Sequence, residues 1–160
     1  AVKWLHTTPG EAGRDELLVE AEAASRLFGS LRNSVWCNLV AVFGAARQGK
    51  SFLLNCLTQQ QEAVFRVSNS SDPCTEGVDL SSLMLSLPEF AATGEKCVDP
   101  FLQTAIGFVD VEGMGDKDVE HDVTLVAPVL LCCKAVLFNW MGGLQKDAIL
   151  NQLGVLTAAA

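Results

Sequence analysis

A chain of 160 residues that is 49% hydrophobic, with a mean hydropathy of +0.29, has enough apolar material for one domain with a real core. Its net charge of −8 gives no electrostatic case for nucleic acid or an anionic membrane surface. Six cysteines lack paired metal-ligand spacing, and four of them (Cys37, Cys56, Cys132, Cys133) lie in apolar runs, which suits buried free thiols in a reducing, cytoplasmic setting.

Residues 2–5 read as an edge strand and residues 6–10 as a turn that leaves His6 on the surface. From Glu16 to about Leu31 the composition is helical, with Leu27, Phe28 and Leu31 at helical spacing. Trp36 to Phe43 is nearly continuous in apolar residues, as a strand covered on both faces should be. It runs into Gly44-Ala45-Ala46-Arg47-Gln48-Gly49-Lys50-Ser51, the complete phosphate-loop pattern G-x-x-x-x-G-K-[ST]. Backbone N–H groups of such a loop converge on phosphate oxygens, and Gly44 and Gly49 permit the dihedrals and close approach. Lys50 supplies a cation for the β- and γ-phosphates, and the Ser51 hydroxyl suits Mg²⁺. A helix from Phe52 points its positive end at the anion. Residues 44–52 are therefore the expected nucleotide contacts.

After the polar residues 59–62, residues 65–78 form a loop holding Thr75 and Gly77, and residues 77–87 read as a strand. Residues 88–103 are a mixed loop. Ala105 to Asp110 is an apolar run ending in Asp, and Asp110-Val111-Glu112-Gly113 gives D-x-x-G. Residues 123–133 read as a buried helix that Pro128 either kinks or opens. Residues 135–140 form another buried strand, and residues 145–160 a helix with Ile149, Leu150, Leu153 and Leu156 on one face. The run from Val123 to Met141 approaches membrane-spanning length, but Lys134 inside it would cost about 3 kcal/mol or more at mid-bilayer. Strands alternating with helices predict an α/β fold, a mostly parallel sheet with helices on both faces.

Three stations follow one another as a phosphate-loop nucleotidase requires: the loop, then Thr75, then Asp110 with Gly113. Ser51, Thr75 and Asp110 are candidate Mg²⁺ ligands, and Gly113 offers a backbone N–H to a γ-phosphate. Arg47, between the two loop glycines, is either a surface cation or an internal arginine finger. Met114 stands where small switch GTPases place a water-orienting Gln, and a thioether cannot do that work.

These residues resemble the guanylate-binding protein and atlastin group of dynamin-related large GTPases. The likeness covers about residues 36–160, with a weaker match before, and rests on G-x-x-R-x-G-K-S, Thr75-Glu76-Gly77, residues 110–116, Phe138-Asn139-Trp140-Met141-Gly142-Gly143 and residues 153–157. It implies a three-layer P-loop NTPase (G-domain) fold, with residues 1–35 as an N-terminal extension and 36–160 as the core. It also implies Mg²⁺-dependent GTP hydrolysis, a nucleotide-driven homodimer through the G domains, catalysis by Arg47 in cis with Thr75, and Glu112 positioning the attacking water. The chain departs from the family in having Pro73 where guanylate-binding proteins have a serine, and it ends before the strand with the guanine-reading Arg-Asp pair. A piece of a longer protein is expected. A catalytically weak dimerisation module and a P-loop ATPase are the alternative readings.

Overall fold

The computed structural model describes residues 1–10, 15–29, 31, 36–67, 75–90, 104–142 and 146–159. The sheet contains β1 (Val2–Pro9), β2 (Asp15–Val19), β3 (Trp36–Phe43), β4 (Val78–Leu80), β5 (Leu85–Ser86), β6 (Thr104–Val111) and β7 (Ala135–Phe138). The helices are α1 (Ala21–Gly29), α2 (Lys50–Thr58), α3 (Leu87–Phe90), α4 (Val119–Cys132) and α5 (Lys146–Ala159). Strand order is β2-β1-β4-β6-β3-β7, with β5 also paired to β6.

β6 is buried at every position, and β3 beside it buries its last three residues. Their alternating side chains feed two cores. Leu39, Ala41, Phe43, Val109 and Val111 pack on one face with Leu125, Val126 and Val129 of α4, and α1 adds Leu27 and Phe28. Val42, Ile106 and Phe108 pack on the other with Leu54 of α2 and Phe65. Helices therefore cover both faces, as the apolar runs predicted. Among the described residues no helix is long and apolar enough to cross a membrane.

The sheet is mixed, which corrects the mostly parallel expectation. β3 pairs in parallel with β6 and β7, but β1–β2, β1–β4, β4–β6 and β5–β6 are antiparallel. The N-terminal segment is the main cause. Asp15–Val19 is a strand, not the start of a helix, and pairs with residues 5–9 so that β1 runs through the expected turn to Pro9. Pro9 is tolerated because it closes the strand. β1 is also interior to the sheet, between β2 and β4, and His6 is half-buried, 3.7 Å from Glu20.

The expected strand over residues 77–87 is broken in two by Ser81. Its hydroxyl donates to Leu83 O at 2.8 Å and accepts from Phe108 N at 3.0 Å, replacing one rung of the ladder. Pro88 lies in α3, and residues 91–103 of the expected loop lie outside the described residues, as does Pro73. α4 begins at Val119, earlier than expected, because Asp118 caps it by accepting from His121 N at 2.8 Å. Pro128 is consequently interior to that helix. β7 stops at Phe138, two residues short of the expected end, and its first three residues are exposed, which corrects the expected buried strand: β7 is last in the strand order, with β3 as its one neighbour among the described residues. Cys37 and Cys133 are half-buried thiols, but Cys56 and Cys132 are exposed on their helices, correcting the uniform burial expected from the apolar runs.

Candidate nucleotide-binding site

The loop after β3 is shaped by backbone conformation first. Gly44 has φ 148° and Gly49 φ 79°, and between them Arg47 takes φ 61°, where an L residue carries strain. Gly49 is the N-cap of α2, so that helix begins at Lys50 with its amides at the loop. Met114 N donates to Gly44 O at 3.1 Å, and Ala45 and Met114 form a parallel bridge. A β-carbon on Gly113 would collide with Ala46. The D-x-x-G segment therefore lies against the loop, as its place after β6 requires.

Lys50 is 6% exposed and donates to Ala45 O at 2.9 Å. Burial lowers its pKa from 10.5, against the opposing fields of Asp110, Asp116 and Glu112. Asp110, 1% exposed, is pushed the other way: burial raises its carboxyl above 3.8, against hydrogen bonds from Ser51 and Thr75 and the Lys50 charge. Ser51 Oγ donates to Asp110 Oδ2 at 2.6 Å and Thr75 Oγ1 to the same oxygen at 2.8 Å, with the hydroxyls 3.4 Å apart. Asp110 Oδ1 is buried without a protein partner. Three hard oxygen ligands with one orphaned carboxylate oxygen fit Mg²⁺, which takes one or two carboxylates and completes its shell with water and phosphate. No group of three or more His, Cys, Asp or Glu that could hold a metal occurs among the described residues; the oxygen set here is one carboxylate and two hydroxyls.

Other expected residues spread outward. Arg47 is exposed, and the Phe52 side chain is 62% exposed, leaving it only its backbone to offer a phosphate. The Glu112 carboxylate is engaged: Oε2 accepts from Gly77 N at 2.6 Å and Oε1 pairs with Lys117 at 3.0 Å. It borders a cavity of about 350 Å³ lined by Lys3, His6, Thr7, Gly77, Glu112 and Lys117.

Two contributors carry no role in the sequence reading. Asn139, just past β7, donates from its backbone to Phe43 O at 2.7 Å and from Nδ2 to Gln48 O at 2.5 Å, holding the loop at both ends. Gln48 Oε1 accepts in turn from Met141 N at 3.4 Å. A lone polar residue closing an apolar strand was the available signal. His121, buried beside Glu112, was the other omission, and nothing in its local sequence marks it.

No curated protein matches the chain. The family model described as "Guanylate-binding protein, N-terminal domain" matches residues 14–160, reaching back to β2 and forward through α5. With the phosphate-loop pattern between β3 and α2 and nearly the whole length inside that match, the chain belongs to the guanylate-binding protein family of large GTPases.

Proposed function

We propose that the chain is the P-loop core of a G domain (residues 36–160, with 1–35 as an extension) that binds GTP with Mg²⁺ and hydrolyses its γ-phosphate. The observation carrying this reading is the convergence of Ser51 and Thr75 on one oxygen of buried Asp110, directly beside Lys50. Burial disfavours both the ammonium and the carboxylate, and their mutual attraction offsets this only in part. A phosphate suits the first and a divalent cation the second.

In this reading residues 44–52 and the Gly113 N–H hold the phosphates, and Lys50 supplies the fixed cation. Ser51, Thr75 and Asp110 would hold Mg²⁺, which when bound neutralises phosphate charge. Arg47 is exposed and supplies a planar cation to the γ-phosphoryl oxygens as charge develops there. Glu112 orders the water that attacks the γ-phosphorus while the bond to the bridging oxygen breaks, releasing GDP and phosphate. Thr75 assists at the metal. A homodimer formed through this face on nucleotide binding belongs to the same reading.

Phosphate release from GTP and from ATP, each with Mg²⁺ and with chelator, tests it. Mg²⁺-dependent release from GTP is expected, abolished by Lys50→Ala together with a loss of affinity of tenfold or more. Preference for ATP, or turnover that ignores chelation, would overturn it.

A further inference from the structure

Glu112 is held by more than its immediate neighbours. His121, in the first turn of α4, is 3% exposed, and its backbone is fixed by Asp118. Its Nδ1 lies 2.8 Å from Asp15 Oδ2 on β2 and 3.4 Å from Thr7 Oγ1 on β1. A carboxylate only accepts, so Nδ1 donates to Asp15. The other nitrogen, Nε2, faces Glu112 Oε2 at 3.6 Å, too long for a hydrogen bond, and is a buried atom without a partner. A buried ring nitrogen left unbonded costs free energy, and a proton on Nε2 would meet a carboxylate acceptor one small movement away.

Glu112 Oε2 is also the oxygen that accepts from Gly77 N. The Gly77 amide thus donates to an atom that Nε2 also faces, and a proton on Nε2 would make it a second donor to that atom. We infer that His121 is a positioning residue for Glu112: Asp15 on the N-terminal hairpin orients the ring, and when both ring nitrogens carry protons Nε2–H donates to the Glu112 carboxylate as Gly77 gives it up. The carboxylate–imidazole–carboxylate line joins β2, α4 and the segment after β6, so the placement of the hairpin enters the placement of Glu112. This rests on the reading of Glu112 as the residue that orders water. His121 acts through that carboxylate and touches no substrate.

Asp15→Asn is the informative variant, because Asp15 is 40% exposed and the change preserves shape. In the full chain, ¹⁵N resonances of the His121 ring and the amide proton of Gly77 should both move in Asp15→Asn, while Tm stays within about 1 °C. GTP turnover should fall about tenfold in kcat at unchanged KM, a size typical of partners that orient a functional group from behind. His121→Gln, whose amide nitrogen can stand in for Nε2–H, should retain more kcat than His121→Leu. Adding Asp15→Asn to His121→Leu should cost nothing further, since the two act in one line. An unmoved Gly77 amide in Asp15→Asn, or independent additive losses, would overturn the inference. If the unaltered chain fails to turn over GTP, the reading of Glu112 falls, and the resonance measurements still decide whether Asp15 and His121 set its position.

Discussion

The main-chain carbonyl of Asn139 occupies the space that a β-carbon on Gly44 would need. The end of β7 thus sets how closely the phosphate loop can approach the sheet, and only glycine fits. Gly44 also has φ 148°, so Gly44→Ala meets both a collision and a strained backbone. The expected cost is about 3 kcal/mol, read as a fall of about 10 °C in Tm by calorimetry. Asn139→Ala, which removes the Nδ2 bond to Gln48 O, should cost about 1 kcal/mol and weaken nucleotide binding. A Gly44→Ala chain melting within 1 °C of the unaltered one would show that β7 does not constrain the loop.

Arg47 holds φ 61° in that same loop. Arg47→Ala retains the strain and Arg47→Gly relieves it, so the glycine variant should be the more stable by about 1 kcal/mol in denaturant unfolding. Both should lose kcat by about 10³-fold with KM nearly unchanged, and Arg47→Lys should recover little. If KM rises and kcat survives, the guanidinium is a ground-state phosphate contact.

For Asp110 the signs run in opposite directions. Burial raises its folded-state pKa above 3.8, so the folded chain holds the proton more tightly than the unfolded one. Its contribution to ligand-free stability is present at low pH and is lost as pH rises through the folded value. Mg²⁺ requires the ionised form, so the metal-dependent part of GTP affinity should fade on acidification, and at a higher pH than an ordinary carboxylate would give. Titration calorimetry with and without Mg²⁺ across the acid range checks this, and Asp110→Asn should abolish the metal-dependent part throughout.

The adjacent thiols Cys132 and Cys133 should separate on alkylation. Burial, with the neighbouring Cys132 as the lesser cause, pushes Cys133 up to about 12. At pH 8 only about one molecule in 10⁴ then carries the Cys133 thiolate, the reactive form. Cys132 is exposed. Peptide mass mapping after brief iodoacetamide treatment should find the label on Cys132 and spare Cys133. Equal labelling would mean the end of α4 opens readily.

The parts of the fold that sequence made legible are those with a nearly continuous apolar run. Trp36–Phe43 could be bounded to the residue because both faces of β3 meet helices, leaving an uninterrupted apolar run. Residues 16–19 read as helix but form strand, because Glu-Leu-Leu-Val beside an alanine-rich stretch has no strong local preference and the pairing with β1 decides it. Ser81 looks like any polar residue until Phe108 is placed beside it. The loop, Thr75 and Asp110 were legible as an ordered set of residue types, but their meeting at one carboxylate oxygen is a property of the sheet order. Asn139 and His121 act through neighbours distant in sequence, so the sequence marks the end of an apolar run at Asn139 but not what either residue touches.

The placement of β6 between β3 and β4 bears on how this protein reaches its native state. Its register joins Trp36 to Thr104 in parallel, so β3 leaves the ribosome long before its central partner exists. Until then its apolar side chains can find only non-native company. Closing so long a loop precedes any reward from the pairing, which slows folding and lengthens exposure of a sticky segment. Refolding yield should therefore depend steeply on protein concentration, and a holding chaperone that shelters residues 36–43 would help most during the synthesis of residues 44–111.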